Sequence, residues 1–206
     1  MHIGYRLGDP RRARPDEGAM SHSPYDNGPE NSSAPAPHSP RSAAHVLLAH
    51  DVGLLVLRLG VGLVVAGRGA QHLFGWWGGL GIDKTAVAFA QFGYPAPKAM
   101  AVIAGIAETF GGLALAVGLL TPLAGAAVAG TMANAVAAST PLGYFGGFEF
   151  PLLLGVGAAG LALSGAGRIS LDAFLPVLRS QRLIYGIALL VLAAILATVT
   201  ILLSKN

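Results

Sequence analysis

Apolar residues gather into five long blocks after residue 45, and the polar residues inside those blocks are few enough to be named one by one. The first block, Val52 to Phe74, reads VGLLVLRLGVGLVVAGRGAQHLF. A membrane-crossing helix needs about 20 mostly apolar residues at about 1.5 Å rise each, and this run has that length. It nevertheless holds Arg58, Arg68, Gln71 and His72. The second block runs from about Ala99 to Leu120 with Glu108 as its only charge, and the third from Pro122 to about Ser139 with Asn134. The fourth, Phe148 to about Leu163, opens on Glu149 and carries Pro151 in its first turn; the fifth, Leu183 to Leu203, has no charge. The pattern predicts an all-α polytopic membrane protein, a four-helix transmembrane bundle plus a fifth C-terminal transmembrane helix.

The segments between the blocks have their own signals. GWWGGLG, Gly75 to Gly81, places paired tryptophans where a helix leaves the hydrocarbon, the usual depth for an aromatic belt. Asp83 to Phe92 reads as a short amphipathic helix with Asp83 as N-cap and Gly93 as its stop, either a surface connector or a lid over a site in the bundle. Thr121-Pro122 breaks the chain into a tight hairpin, because the residue before proline avoids the helical region and proline suits a first turn. Small residues recur at four-residue spacing in the first four blocks: Gly62, Ala66, Ala70; Gly105, Thr109; Gly125, Ala129; Gly155, Ala159. In lipid, close approach of such faces is what holds helices together, so these four should pack while the fifth stays peripheral.

Composition agrees with this reading. The chain of 206 residues is 53% hydrophobic and only 11% charged, where soluble domains run nearer about 25% charged. Before residue 45 it is rich in Pro, Ser, Asn and Gly, which cannot bury enough surface to offset conformational entropy. The expected organisation is a disordered tail over 1–44, a transmembrane bundle over 45–172, a basic linker over 173–182 and an additional helix over 183–206. The first apolar run starts too late and is too long for a cleaved signal peptide, so it is expected to stay as an anchor.

Net charge is +3, but the basic residues form no stripe with interleaved aromatics, which argues against nucleic-acid binding. The chain has no cysteine, which removes disulfides, Cys-ligated zinc, iron-sulfur clusters and thiolate catalysis. Nor does any His, Asp or Glu set have metal-ligand spacing, and a single intramembrane histidine cannot supply the paired ligation of a transmembrane haem. The G-x-G in GAGRISLD follows an apolar helix rather than a strand, so it reads as a helix stop and not as a dinucleotide loop. Arg168, Arg179 and Arg182 make the loop before the fifth block the clearest basic cluster near the membrane, a candidate surface for a soluble partner. With Arg41 they outweigh Lys84, Lys98 and Lys205 at the opposite ends, which predicts a cytoplasmic N-terminus and an external C-terminus.

That topology gives depths. From the outer ends Arg68 lies about 9 Å deep, Glu108 about 15 Å and Arg58 about 24 Å. An arginine in a membrane needs a partner, so Glu108 is expected to pair with Arg68 and to lie near Arg58. Gln71 and His72 share the face of Arg68, Asn134 lies at similar depth on the third span, and Glu149 opens the fourth. Each has a plain structural use, as an ion-pair lock, a snorkelling residue, an interhelical hydrogen bond or a helix cap. Together they suggest a cavity for a small polar or quinone-like headgroup, without naming a catalytic residue.

The stretches LRLGVGLVVAGRGAQHLFG, AGIAETFGGLALAVGLLTPLAG, GGFEFPLLLG and GAGRISLD, in that order over about Leu54 to Asp172, resemble the DoxX family of small bacterial membrane proteins. The resemblance implies a four-helix core in the cytoplasmic membrane and a link to quinone-linked or detoxifying redox chemistry. It implies that Arg58, Glu108 and Glu149 occupy recurrent polar positions of the family, while Arg68 and His72 flank a place where relatives usually show a histidine-glycine and a lysine. The leading expectation is a membrane subunit of an oxidoreductase assembly with a quinone-like ligand and a soluble oxidoreductase partner. The alternatives are a non-catalytic scaffold that anchors a soluble partner, a small-solute transporter, and either of these as a homo-oligomer.

Overall fold

A computed structural model describes residues 40–174 and 182–205. Six helices make up the architecture: α1 (Pro40–Phe74), α2 (Gly81–Gln91), α3 (Pro97–Val117), α4 (Thr121–Ser139), α5 (Glu149–Ser164) and α6 (Arg182–Leu203), with no strand among the described residues. Five of them, all but α2, are long and apolar enough to cross a membrane. Leucine, isoleucine, valine and phenylalanine cover the outside of the bundle, as a lipid-facing surface requires.

The small-residue faces meet as expected. The antiparallel helices α1 and α3 cross where a methyl group on Gly62 would stand 2.6 Å from the Gly112 carbonyl oxygen, and one on Gly112 only 2.5 Å from Ala66 N. Further along, Gly69 faces Thr109 and the Gly105 carbonyl at equally close range. Helices α4 and α5 repeat the device, with Gly125 against Ala158 and Ala162 and Gly155 against Met132. Val65, Leu115, Val128, Met132 and Leu161 fill the space between the pairs.

The helix stops follow from sequence. At the end of α3, Gly118 has φ +71°, the Leu119 N–H donates to the Ala114 carbonyl at 2.8 Å and the Gly118 N–H to Leu115 at 3.1 Å, a Schellman motif. The end of α2 is the same motif: Gly93 has φ +78°, its N–H donates to Ala90 at 3.0 Å, and Tyr94 N–H donates to Phe89 at 3.1 Å. The side chains of Phe89 and Tyr94 stack with ring centroids 5.1 Å apart, the apolar contact that usually accompanies such a stop. It delivers the Tyr94 ring into the interior.

One expectation about these elements is corrected and another is sharpened. Helix α2 begins at Gly81, so Asp83 stands in its first turn rather than at the N-cap and pairs at the surface with Lys98 at 3.0 Å. The fifth span is the least buried of the five, at the edge of the bundle as expected, yet one strip of it is closely seated. Helix α6 packs on α4 and α5, its Gly186 against the Ala162 carbonyl and its Ala193 against Gly130, because small residues on an otherwise bulky helix let one strip of it approach closely.

Candidate functional site

The polar residues separate into two clusters at different levels of the bundle. The first surrounds Arg58, which is 1% exposed. Its Nη1 donates to the Ala166 carbonyl at 2.7 Å and its Nη2 to the Ile169 carbonyl, both on the loop that follows α5. Gly118 presses against the guanidinium, and with its φ of +71° no side chain could stand there. Asp172, 2% exposed, lies close enough to balance the arginine charge. Its two oxygens accept the Leu120 N–H at 2.7 Å and the Thr121 N–H at 3.0 Å, so a residue far along the chain caps the positive end of α4. Asp51 closes the group by accepting the Arg168 N–H at 2.9 Å. The Arg58 Nη groups, Asp172 and Asp51 all bond backbone groups of the neighbouring turns, and the Arg58 Nε is buried without a partner among the described residues.

The second cluster lines a cavity of about 410 Å³ on the other side of Glu108. Helices α1, α2, α3, α4 and α6 all contribute to its walls, which are mostly alanine, phenylalanine and aliphatic side chains. Four groups give it most of its polarity: Arg68, the His72–Glu108 pair, Thr85, and the linked side chains of Tyr94, Asn134 and Thr200. That is the composition of a small-molecule site, an apolar pocket with a few placed polar groups.

Glu108 is expected from sequence to pair with Arg68; the partner is His72. His72 Nδ1 stands 3.0 Å from Glu108 Oε2, with the carboxylate side chain 4% exposed and the imidazole 25%. Neither atom has a well-aimed hydrogen bond, so the pair is a close polar contact rather than a linear N–H···O bond. Arg58 cannot take part, since Gly118, its neighbour on α3, is ten residues and so about 15 Å along from Glu108. The Arg68 guanidinium instead lies over the Phe150 ring at 5.4 Å, drawn by the ring face, and no carboxylate among the described residues lies within ion-pair distance of it. Its Nε, like Thr85 Oγ1, is buried without a protein partner.

The remaining expected residues scatter. Asn134 is in the cavity wall, accepting the Tyr94 hydroxyl at 3.1 Å and the Thr200 hydroxyl at 2.7 Å while donating to the Gly130 carbonyl at 3.1 Å. Gln71 is turned away, its Cβ under Gly79 in the tryptophan turn. Glu149 does not line the cavity: its Oε1 accepts the Gly146 N–H at 2.8 Å, closing the turn that leads into its own helix. Arg168 is exposed on the loop, Arg179 lies outside the described residues, and Arg182 begins α6 with a side chain that is not described. No group of three or more His, Cys, Asp or Glu among the described residues could hold a metal ion.

Sequence reasoning passed over Tyr94, Thr200, Thr85 and Asp51. The signal for Tyr94 was present, an aromatic directly after a helix-ending glycine with a second aromatic five positions before it. Burial raises the Tyr94 phenol above its ordinary value of 10.0, so the group stays a neutral donor.

The comparisons bear on this arrangement. Residues 53–141 match the family model described as DoxX, a stretch that includes both arginines, His72, Glu108 and Asn134. The fourth and fifth spans lie beyond it, with Glu149, Asp172 and Thr200. No curated protein and no solved structure matches the chain. The tight α1–α3 crossing and most of the cavity therefore sit on the stretch that matches DoxX, and residues 53–141 of this integral membrane protein form a DoxX domain.

Proposed function

We propose that the cavity binds a lipophilic molecule with a carbonyl-bearing headgroup, of the quinone class, and that the protein serves as the membrane subunit of a redox assembly whose electrons come from a soluble oxidoreductase. The observation that carries the reading is the composition of the cavity. It offers Arg68, a cation with no carboxylate partner among the described residues, beside a buried His–Glu pair in mostly apolar walls. An arginine at this depth is costly unless something balances it, and a carbonyl or anionic oxygen of a bound ring does so without a permanent carboxylate.

Reducing a quinone by two electrons consumes two protons, and the pair supplies a route for them. His72 is partly exposed while Glu108 is buried, so the imidazole stands between the carboxylate and the surface. Arg68 would hold the developing oxygen charge and Glu108 would hold or pass a proton.

Native mass spectrometry of the full chain purified in mild detergent tests this. A stoichiometric quinone should travel with the wild type and fall at least about tenfold in Arg68→Gln and Glu108→Gln that still fold, the loss expected for a charge-assisted contact of about 1.5–3 kcal/mol. Folded variants that retain the ligand, or a wild type that carries none and takes none up, would sink the reading. A second reading, a scaffold without chemistry, draws on the exposure of Arg168 beside an Arg58 cluster whose bonds go to backbone groups. It predicts that a soluble protein co-purifies with Glu108→Gln and is lost on Arg168→Glu.

A further inference from the structure

The third polar feature of the cavity, on the α4 and α6 side, has no part in that chemistry. Gly130 O can only accept, so the Asn134 nitrogen must face it, and the amide oxygen must face the Tyr94 and Thr200 hydroxyls. The orientation of the amide is thereby decided. Two hydroxyl donors hold its oxygen, one of its N–H bonds goes to Gly130, and one N–H remains. Thr200 is the shorter of the two clamps, and it comes from α6, beyond the matched family domain. The α6 side chains Ala193, Leu196 and Ala197 form the wall around it.

Arg68 and His72 enter the cavity from α1, and Asn134 from α4 with Thr200 behind it from α6. A ring bound between them meets donors from two separate helices. We propose that the ligand is held at both ends, one oxygen by Arg68 and His72 and a second, across the ring, by the remaining Asn134 N–H, with Thr200 as the positioning residue that fixes the amide. This rests on the reading of the cavity as a quinone-class site and adds to it the requirement for two opposed oxygens. It also gives α6 a role in specificity. Tyr94 gives its proton to Asn134, and the one Thr200 proton is shared between the Asn134 oxygen and the Ala197 and Leu196 carbonyls at 2.8 and 3.1 Å, so the lone pairs of both hydroxyl oxygens can accept from a hydroxyl. The same end therefore accommodates a carbonyl or the alcohol that replaces it after reduction.

The test compares two probes on the full chain in nanodiscs: 2-decyl-1,4-naphthoquinone, and the matching 2-decyl-1-tetralone, which lacks the second carbonyl. Wild type should prefer the dione by about threefold to tenfold, the worth of one good hydrogen bond. Thr200→Val should erase most of that preference by weakening the dione alone, Thr200→Ser should restore it, and Asn134→Leu should abolish it. Because Asn134→Leu acts without Thr200, the result stands even if one variant fails to fold. Equal binding of both probes to wild type, or an unchanged preference in Thr200→Val, overturns the two-ended site while leaving the cavity reading in place. Failure of wild type to bind either probe removes both.

Discussion

Arg58 and Arg68 stand on the same helix, yet one is consumed and the other is available. Arg58 gives both of its Nη groups to the Ala166 and Ile169 carbonyls, with Asp172 near enough to balance its charge, although its Nε has no partner among the described residues. Arg68 has an aromatic face beneath it, no carboxylate within ion-pair distance among the described residues, and an open cavity beside it. The difference separates two uses of charge in a membrane. Tied to loop carbonyls and balanced by a carboxylate, a buried charge fastens turns; left without either beside a cavity, it is poised for something that comes and goes.

The sharpest way to break this comparison is to remove Arg58. Arg58→Leu strands two loop carbonyls and leaves Asp172 without its countercharge, a loss of about 3–5 kcal/mol by the rule for breaking a buried pair. Most of the protein should disappear from detergent extracts on size-exclusion chromatography, while whatever remains folded still binds ligand. If Arg58→Leu folds normally and loses ligand instead, the division of labour between the clusters is wrong.

A smaller and opposite effect is expected at the cavity. Ala104 lines it from α3, and Ala104→Phe fills apolar space without touching the Arg58 cluster. The melting temperature should hold or rise, since added contacts offset an unfilled volume, while bound quinone measured by extraction drops to background.

The smallest effect concerns pH. Burial lifts the Tyr94 phenol above 10.0, so the folded protein holds that proton more tightly than the unfolded chain does. The resulting stability is fully present below pH 10 and is lost as pH rises through the raised value. A melting series from neutral to strongly alkaline pH should show an added decline in the wild type that Tyr94→Phe lacks. Equal declines would mean the phenol is not the group responsible.

Much of the architecture was legible in the pattern of apolar runs. The five spans fall within a few residues of their expected bounds, apart from the first, whose helix begins at Pro40, because length and hydropathy are properties of single segments. The glycine faces were legible too, since four-residue spacing survives any rotation of a helix about its neighbour. Partners were not. Arg68 and His72 share a face one turn apart, and only the rotation of α1 against α3 and the pull of the Phe150 ring decide which of them meets Glu108. Asp172 and Arg58 were each visible as charges, but their partners are backbone groups of turns that carry no side-chain signature. The role of α6 was hidden for a similar reason: one threonine and three alanines on an apolar helix read as lipid-facing until the helix is seated on α4.

Gly69 lies one turn before His72 on α1, and it rests on Thr109, the residue after Glu108 on α3. The backbones of two helices are thus in contact immediately beside the site, and their separation there is a gauge that sets how near imidazole and carboxylate stand. A residue with no side chain thus sets the spacing of the pair, so the working parts of this site include an atom that is missing by design.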